Sequence, residues 1–252
     1  MLNSLYINHP KATESVLITR DHVIIKVMLT KKPAALFDLD NTLIHGSSLY
    51  YLVKGLVDLG ELSRKQLFKF ALAHFKFIKS RTENISSFHH ITQRGLGLVR
   101  GQSQLHLAES CEKIVSKFLL PRLNQSILAE VQEHQRNGVD TWVVTAAPTD
   151  LATLVARSIG MTGAIGTDLA TKDGRYSGEL ASGLLHGPRK AEAIVELAKS
   201  KNYELSKSYA YSDSINDLPL LLSVGTPCVV NANAELLRIA RKNSWRELAN
   251  VG

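Results

Sequence analysis

Residues 34 to 46 read AALFDLDNTLIHG: an apolar run passes straight into Asp38 and Asp40, and no lysine or arginine follows until Lys54. A carboxylate drawn out of water is costly unless it is paired, hydrogen-bonded or metal-bound. Two further apolar runs end in polar residues, TWVV in Thr145 and SYAY in Ser212 and Asp213, with Asp217 four positions later. Gathered in one place, Asp38, Asp40, Asp213 and Asp217 would raise one another's pKa unless a cation compensated. An all-oxygen set without histidine or thiolate suits a hard ion, Mg²⁺ above others because it shares its coordination shell with phosphate. Lys190 follows Gly187-Pro188, a helix-start signal, so it sits in a first turn whose free N–H groups also favour anions. A lysine about 4 Å from a phosphoryl oxygen contributes roughly 4 kcal/mol of attraction at an effective dielectric near 20. The chemistry these residue types suit is phosphate chemistry.

They meet only if the fold brings strand ends together. Short apolar runs at 34–38, 140–145, 208–212 and 226–230 alternate with helical patterns at 126–137, 149–159, 188–201, 216–223 and 233–243. That alternation predicts βαβ units, hence an α/β fold with a Rossmann-like parallel sheet, and a ligand crevice at the carboxyl ends of the strands. A turn or hairpin is expected around Asp173-Gly174. Between Leu49 and Pro121 the apolar spacing becomes three and four, which predicts an inserted all-helical cap of three to five helices, with Ser63 as one N-cap. The expected organisation is therefore an extension over residues 1–33, a core over 34–48 and 122–252, and a cap over 49–121.

Composition narrows the class. Among 252 residues, 44% are hydrophobic and 21% charged, as in an ordinary soluble globular protein. Cys111 and Cys228 lie far apart without metal-ligand spacing, so a reducing, cytoplasmic setting is expected. No apolar run is long enough to span a bilayer, and Arg20, Asp21, His22 and Lys26 interrupt the one N-terminal stretch that resembles a signal peptide. From Gly46 to Gln125 there are 12 Lys and Arg against 5 Asp and Glu, which accounts for the whole net charge of +7. Such a field attracts anions: phosphate esters, nucleic acid or acidic headgroups. MLTKKPAALFDLDNT reads like a natural start at Met28, so residues 1–33 are expected to be dispensable for catalysis.

Taken in order, these motifs resemble those of the haloacid dehalogenase superfamily, in its phosphoserine-phosphatase-like branch. D-x-D-x-[TV] matches Asp38 to Thr42, Thr145 stands where a Thr or Ser ends the second strand, Lys190 begins a later helix, and Asp213 and Asp217 form the closing acidic pair. The resemblance covers residues 34 to about 245 and implies a Mg²⁺-dependent phosphomonoester hydrolase. Asp38 would be the nucleophile that forms an aspartyl-phosphate. Asp40, expected on the same side of an extended strand, would be the acid and base. Thr145 and Lys190 would hold the phosphoryl group, with Ala146 and Ser47 also meeting the substrate. The metal would be held by Asp38, the Asp40 carbonyl and Asp213, with Asp217 and Asn216 supporting the metal and Lys190.

Rival readings meet specific obstacles. An EF-hand starting at Asp38 needs Gly at position 43 and Glu at position 49, and both are leucine; no P-loop motif occurs. A metal-binding D-x-D of a glycosyltransferase would not predict Thr145, Lys190 and SDSIND at other strand ends. A nucleic-acid or membrane-surface binder would use FKFALAHFKFIKS, where Phe68, Phe70, Phe75 and Phe77 alternate with Lys69, Lys76 and Lys79. The expected partner is instead a small phosphorylated substrate, with no nucleic acid. Phosphoserine itself, as in a serine-biosynthesis enzyme, is an alternative. That branch places a glutamate nine residues after the nucleophile, and Ser47 stands there, which argues against phosphoserine as the preferred substrate.

Overall fold

The computed structural model describes residues 14–18, 24–28, 31–79 and 85–248, with side chains described over 31–73 and 92–248. The chain forms two compact units, Met1–Lys32 and Pro33–Gly252. In the first, β1 (Glu14–Ile18) pairs antiparallel with β2 (Ile24–Met28) in a two-stranded sheet. In the second, β3 (Ala34–Phe37) leads directly into helices α1 (Ser48–Asp58), α2 (Arg64–Lys79), α3 (Ile85–Val99) and α4 (Gln104–Ile114). A π-helical turn over Val115–Leu119 and a 3-10 turn over Leu120–Arg122 close the helical insert. The α2 start carries a capping box. Ser63 Oγ accepts the Gln66 N–H, and Gln66 Oε1 accepts the Ser63 N–H.

The rest alternates as the sequence predicts: α5 (Gln125–Arg136), β4 (Asp140–Pro148), α6 (Thr149–Ser158), β5 (Gly163–Thr167), the hairpin β6 (Leu169–Lys172) and β7 (Arg175–Leu180), α7 (Pro188–Lys201), β8 (Tyr209–Ser212), α8 (Leu218–Leu222), β9 (Thr226–Val230), α9 (Ala234–Lys242) and β10 (Arg246–Leu248). Both hairpin-turn residues, Asp173 and Gly174, have positive φ, as a tight two-residue turn requires. The main sheet runs β10-β9-β8-β3-β4-β5, every neighbour parallel. The strands β5 and β10 go beyond the pattern expected from sequence. GAIGT is glycine-rich and REL is short and charged, so neighbouring strands rather than local propensity make them β. Because β4 and β5 extend to one side of β3 and β8, β9 and β10 to the other, β3 sits at the topological switch point, where such sheets form their crevice.

Residues of β3 alternate between two cores: Ala35 and Phe37 belong to one, Ala34 and Leu36 to the other. Burial on both faces explains why the strand is apolar without a break. The first core also takes in Leu52, Leu56, Leu107 and Ile114 of the helical insert, so the cap and one sheet face share continuous packing. Among the described residues no helix is long and apolar enough to cross a membrane.

β4 outlasts the expected 140–145. Its pairing with β5 runs from Trp142 to Val144, shifts register, and resumes at Pro148. The intervening bulge holds Thr145 to Ala147. Gly166 makes room for it: a Cβ there would stand 2.7 Å from Ala147 O and 2.7 Å from Thr149 Cα, both backbone atoms. Gly166→Ala is expected to destabilise the fold by about 1–3 kcal/mol through this overpacking. A lowered urea midpoint at unchanged m-value is the readout.

Candidate active site

Register delivers the site residues. Phe37 lies beside Val143 on β4 and Tyr211 on β8, so Asp38, Val144 and Ser212 are level, and Thr145 and Asp213 follow one residue later on either flank. The Asp38 N–H donates to Tyr211 O at 2.9 Å, fixing the loop as it leaves the strand. Lys190 arrives from the opposite direction. Gly187, at φ 56°, turns the chain, Pro188 opens α7, and the first-turn side chain leans back toward the helix N-terminus.

The centre is a buried ion triad. Lys190 Nζ donates to Asp38 Oδ1 at 2.6 Å and to Asp217 Oδ2 at 2.7 Å, and all three residues are buried. Ser212 Oγ donates to Asp217 Oδ2 at 2.8 Å and accepts the Ser214 N–H at 3.2 Å. Asp213 is clamped by Thr42: its N–H donates to Thr42 Oγ1 at 3.1 Å, and the threonine hydroxyl donates back to Asp213 Oδ1 at 3.4 Å. Asn124 Nδ2 holds the Thr42 carbonyl at 3.2 Å.

Asp40 differs from expectation. The strand ends at Phe37, Leu39 lies in a turn and Asn41 has φ 55°, so Asp38 and Asp40 are not neighbours on one face of an extended strand. The turn instead aims Asp40 at the cap, where its Oδ1 accepts the Ser48 N–H at 2.9 Å, at the first residue of α1. Ser47 Oγ caps the same helix, accepting the Tyr50 N–H at 3.4 Å. Thr145 Oγ1 accepts the Ala147 N–H at 3.1 Å inside the bulge, and Ala146 O accepts from Thr167 Oγ1 at 2.8 Å. Asn216 is in the 3-10 turn Ile215–Asp217, its N–H on Ser214 Oγ. The structure thus brings Asp38, Lys190 and Asp217 into contact. Asp213 is held by Thr42, and Asp40, Thr145 and Ser47 stand on separate local supports. Sequence reasoning missed Asn124 and His186. Asn124 is far away in the chain, and His186 borders a lysine motif without a spacing of its own.

Burial raises the Asp38 carboxyl well above the usual range; Lys190 pulls it back, and Asp217 and Asp213 add to the rise. Burial, and then Asp217, push Asp213 up to about 7. For Lys190, burial alone would lower the pKa, but Asp217 and Asp38 more than reverse this, so its ammonium form is strongly favoured. Burial lowers His186, with Asp217 opposing and Lys190 assisting, which favours neutral imidazole. Lys190 also draws Asp213 down, but less than burial and Asp217 raise it. Among the described residues no three His, Cys, Asp or Glu side chains form a ready-made metal cage. Mg²⁺ does not need one, since it takes one or two carboxylates and completes its shell with water and phosphate. The raised carboxyls of Asp38 and Asp213, beside the turn that carries the Asp40 carbonyl, fit such an ion.

The chain is similar to known hydrolases. A model of the haloacid dehalogenase-like hydrolase family matches residues 35–222. Phosphoserine phosphatase SerB1 of Mycobacterium tuberculosis is 34% identical over 212 residues, which are 84% of this chain and 69% of that protein. Histidinol-phosphatase of Neisseria meningitidis is 31% identical over 223 residues, 85% of this chain and 97% of that one. A crystal structure of a protein with unknown function from Bordetella pertussis superposes with a TM-score of 0.75 at 27% identity, covering 87% of this chain and 99% of its own.

A pH-dependent metal response follows. The folded protein protonates Asp213 as pH falls through about 7, whereas an unfolded aspartate does so near 4. Between those values the folded state binds more protons, so this group's stabilisation is complete below about pH 4 and lost as pH rises through about 7. Mg²⁺ held by Asp213 would compete with that proton. It is expected to raise the melting temperature at about pH 7.5 and much less at about pH 5. Asp213→Asn should flatten both the pH dependence and the Mg²⁺ response in the same thermal scans.

Proposed function

The chain belongs to the haloacid dehalogenase-like hydrolase family, and we propose that it is a Mg²⁺-dependent phosphatase that hydrolyses a small phosphomonoester through an aspartyl-phosphate on Asp38. The observation that carries this reading is the buried triad of Asp38, Lys190 and Asp217 at the carboxyl end of the switch-point strand.

Lys190 holds Asp38 Oδ1, which leaves Oδ2 outside that bond to attack phosphorus in line with the leaving oxygen. The bond from phosphorus to the ester oxygen breaks, and Asp40 gives that oxygen its proton, releasing an alcohol. Asp40 then takes a proton from water. The water oxygen adds to phosphorus as the bond to Asp38 breaks, so inorganic phosphate leaves and both aspartates are restored. An ammonium has three donors and Lys190 directs two at Asp38 and Asp217, which leaves a third for a phosphoryl oxygen. Thr145 and the Ala146 backbone, on the bulge flanking Asp38, serve the other oxygens. Asp38, Asp213 and the Asp40 carbonyl would hold Mg²⁺, with Asp217 fixing Lys190 beside them. The ion would neutralise phosphoryl charge as it develops. Two buried cysteines that form no disulfide support action in the cytoplasm.

Phosphoserine is not the preferred substrate in this reading. Ser47 is neutral and already engaged as the cap of α1. A hydroxyl cannot balance a substrate ammonium, and losing such a charge-assisted contact forfeits roughly 1.5–3 kcal/mol, about 10–150-fold. The relatives also carry two different substrate names, phosphoserine and histidinol phosphate.

Asp38→Asn should abolish phosphatase activity and Asp40→Asn should lower it by about 10²–10⁴-fold. Full turnover by Asp38→Asn, or turnover undiminished by excess EDTA, would refute the mechanism. In a kcat/KM comparison across amino-acid, sugar, polyol, nucleotide and lipid phosphates, phosphoserine is expected not to lead. A lead of about 100-fold or more would mean that a cap carboxylate such as Glu61 or Asp58 replaces the missing contact.

A further inference from the structure

Helix α2 presents to solvent the kind of face that proteins normally bury. Its Phe70 is buried in the first core and Leu67 packs against that core, yet Phe68 is 69% and Leu72 47% exposed, one helical turn apart on the opposite side. At 100° per residue, Arg64 and Phe68 lie to one side of Leu72, and Lys65 and Lys69 to the other, all exposed. Two apolar side chains thus form the middle of a stripe edged by cations. In sequence the series 68, 72, 75, 79 continues through Phe75 to Lys79. From Leu62 to Thr82 there are six Lys and Arg and no Asp or Glu. A merely solvated helix face ordinarily mixes both signs.

We propose that this face of α2 is a membrane-surface element that seats the cap on a bilayer rich in anionic lipid headgroups. Phe68 and Leu72 would enter the boundary between headgroups and acyl chains, while the lysine and arginine stems reach back to the phosphates. Charge complementarity selects this occupant. A second copy of the chain would set one strongly basic face against another, a like-charge juxtaposition. A single nucleic-acid strand is bound in a basic groove with aromatic platforms, whereas this is a convex helix face whose second exposed apolar residue is aliphatic. The inference stands apart from the hydrolytic reading, because none of these residues touches the carboxylate crevice.

The test is flotation of the full chain with vesicles of phosphatidylcholine alone, or with about a third phosphatidylglycerol, at low and high salt. The expected result is binding only to the anionic vesicles, weakened by salt. Phe68→Ser with Leu72→Ser should reduce partitioning at least about 10-fold, and Lys65→Gln with Lys69→Gln about 5-fold per lysine. Circular dichroism and hydrolysis of p-nitrophenyl phosphate serve as folding controls and should not change. Failure of the folded wild type to float, or floating that neither double variant alters, overturns the proposal. So does sedimentation showing a dimer that the Phe68 and Leu72 changes dissolve. Oligonucleotide binding lost with the lysines, without any vesicle binding, overturns it as well. If hydrolysis is absent but flotation follows the α2 variants, the membrane proposal survives and the phosphatase reading fails.

Discussion

One ammonium shared by two buried carboxylates is the constraint around which this molecule is arranged. Lys190 between Asp38 and Asp217 leaves the cluster with excess negative charge, and removing such groups from water is costly even when they are paired. A buried ion pair of this kind is a poor source of stability compared with apolar packing of the same volume. Under the proposed reaction, its presence at the switch point of a parallel sheet is preorganised charge: a carboxylate that would attack, a cation and a polarised surround fixed before substrate arrives. The surrounding hydrogen bonds serve that end. Ser212 satisfies Asp217, Thr42 clamps Asp213, and Asn124 holds Thr42 in turn.

The loop that carries Asp38 and Asp40 also carries the cap. Chain leaves the core after Ile44 and returns at Leu123, and these two residues bridge each other, with His45 N–H on Arg122 O at 2.8 Å and Asn124 N–H on Leu43 O at 2.9 Å. Asp40 reaches across this junction to the first N–H of α1. Movement of α1 therefore bears directly on the residue assigned the proton transfers. The insert is not a separate ball on a tether, since its apolar side chains share a core with one face of the sheet.

The alternation of strands and helices, the helical insert and the candidate residues Asp38, Lys190 and Asp213 were legible in the sequence because each is written in local pattern. Burial on both faces makes β3 continuously apolar, helical spacing marks the insert, and Gly187-Pro188 announces the helix that carries Lys190. What depends on residues distant in the chain was not legible there. β5 and β10 are strands because neighbours pair with them, and Thr145 lies in a bulge because β4 and β5 lose register there. Asp40 faces the cap because the chain turns at Leu39 through Asn41, where its assigned role had assumed an extended strand. Asp217 meets Lys190, as the family resemblance implied, because helix α7 and the turn after β8 converge; local spacing by itself does not encode the partner of a buried charge. Local pattern records which face of an element is apolar; the pairing of polar groups is settled by the long-range packing that removes them from water.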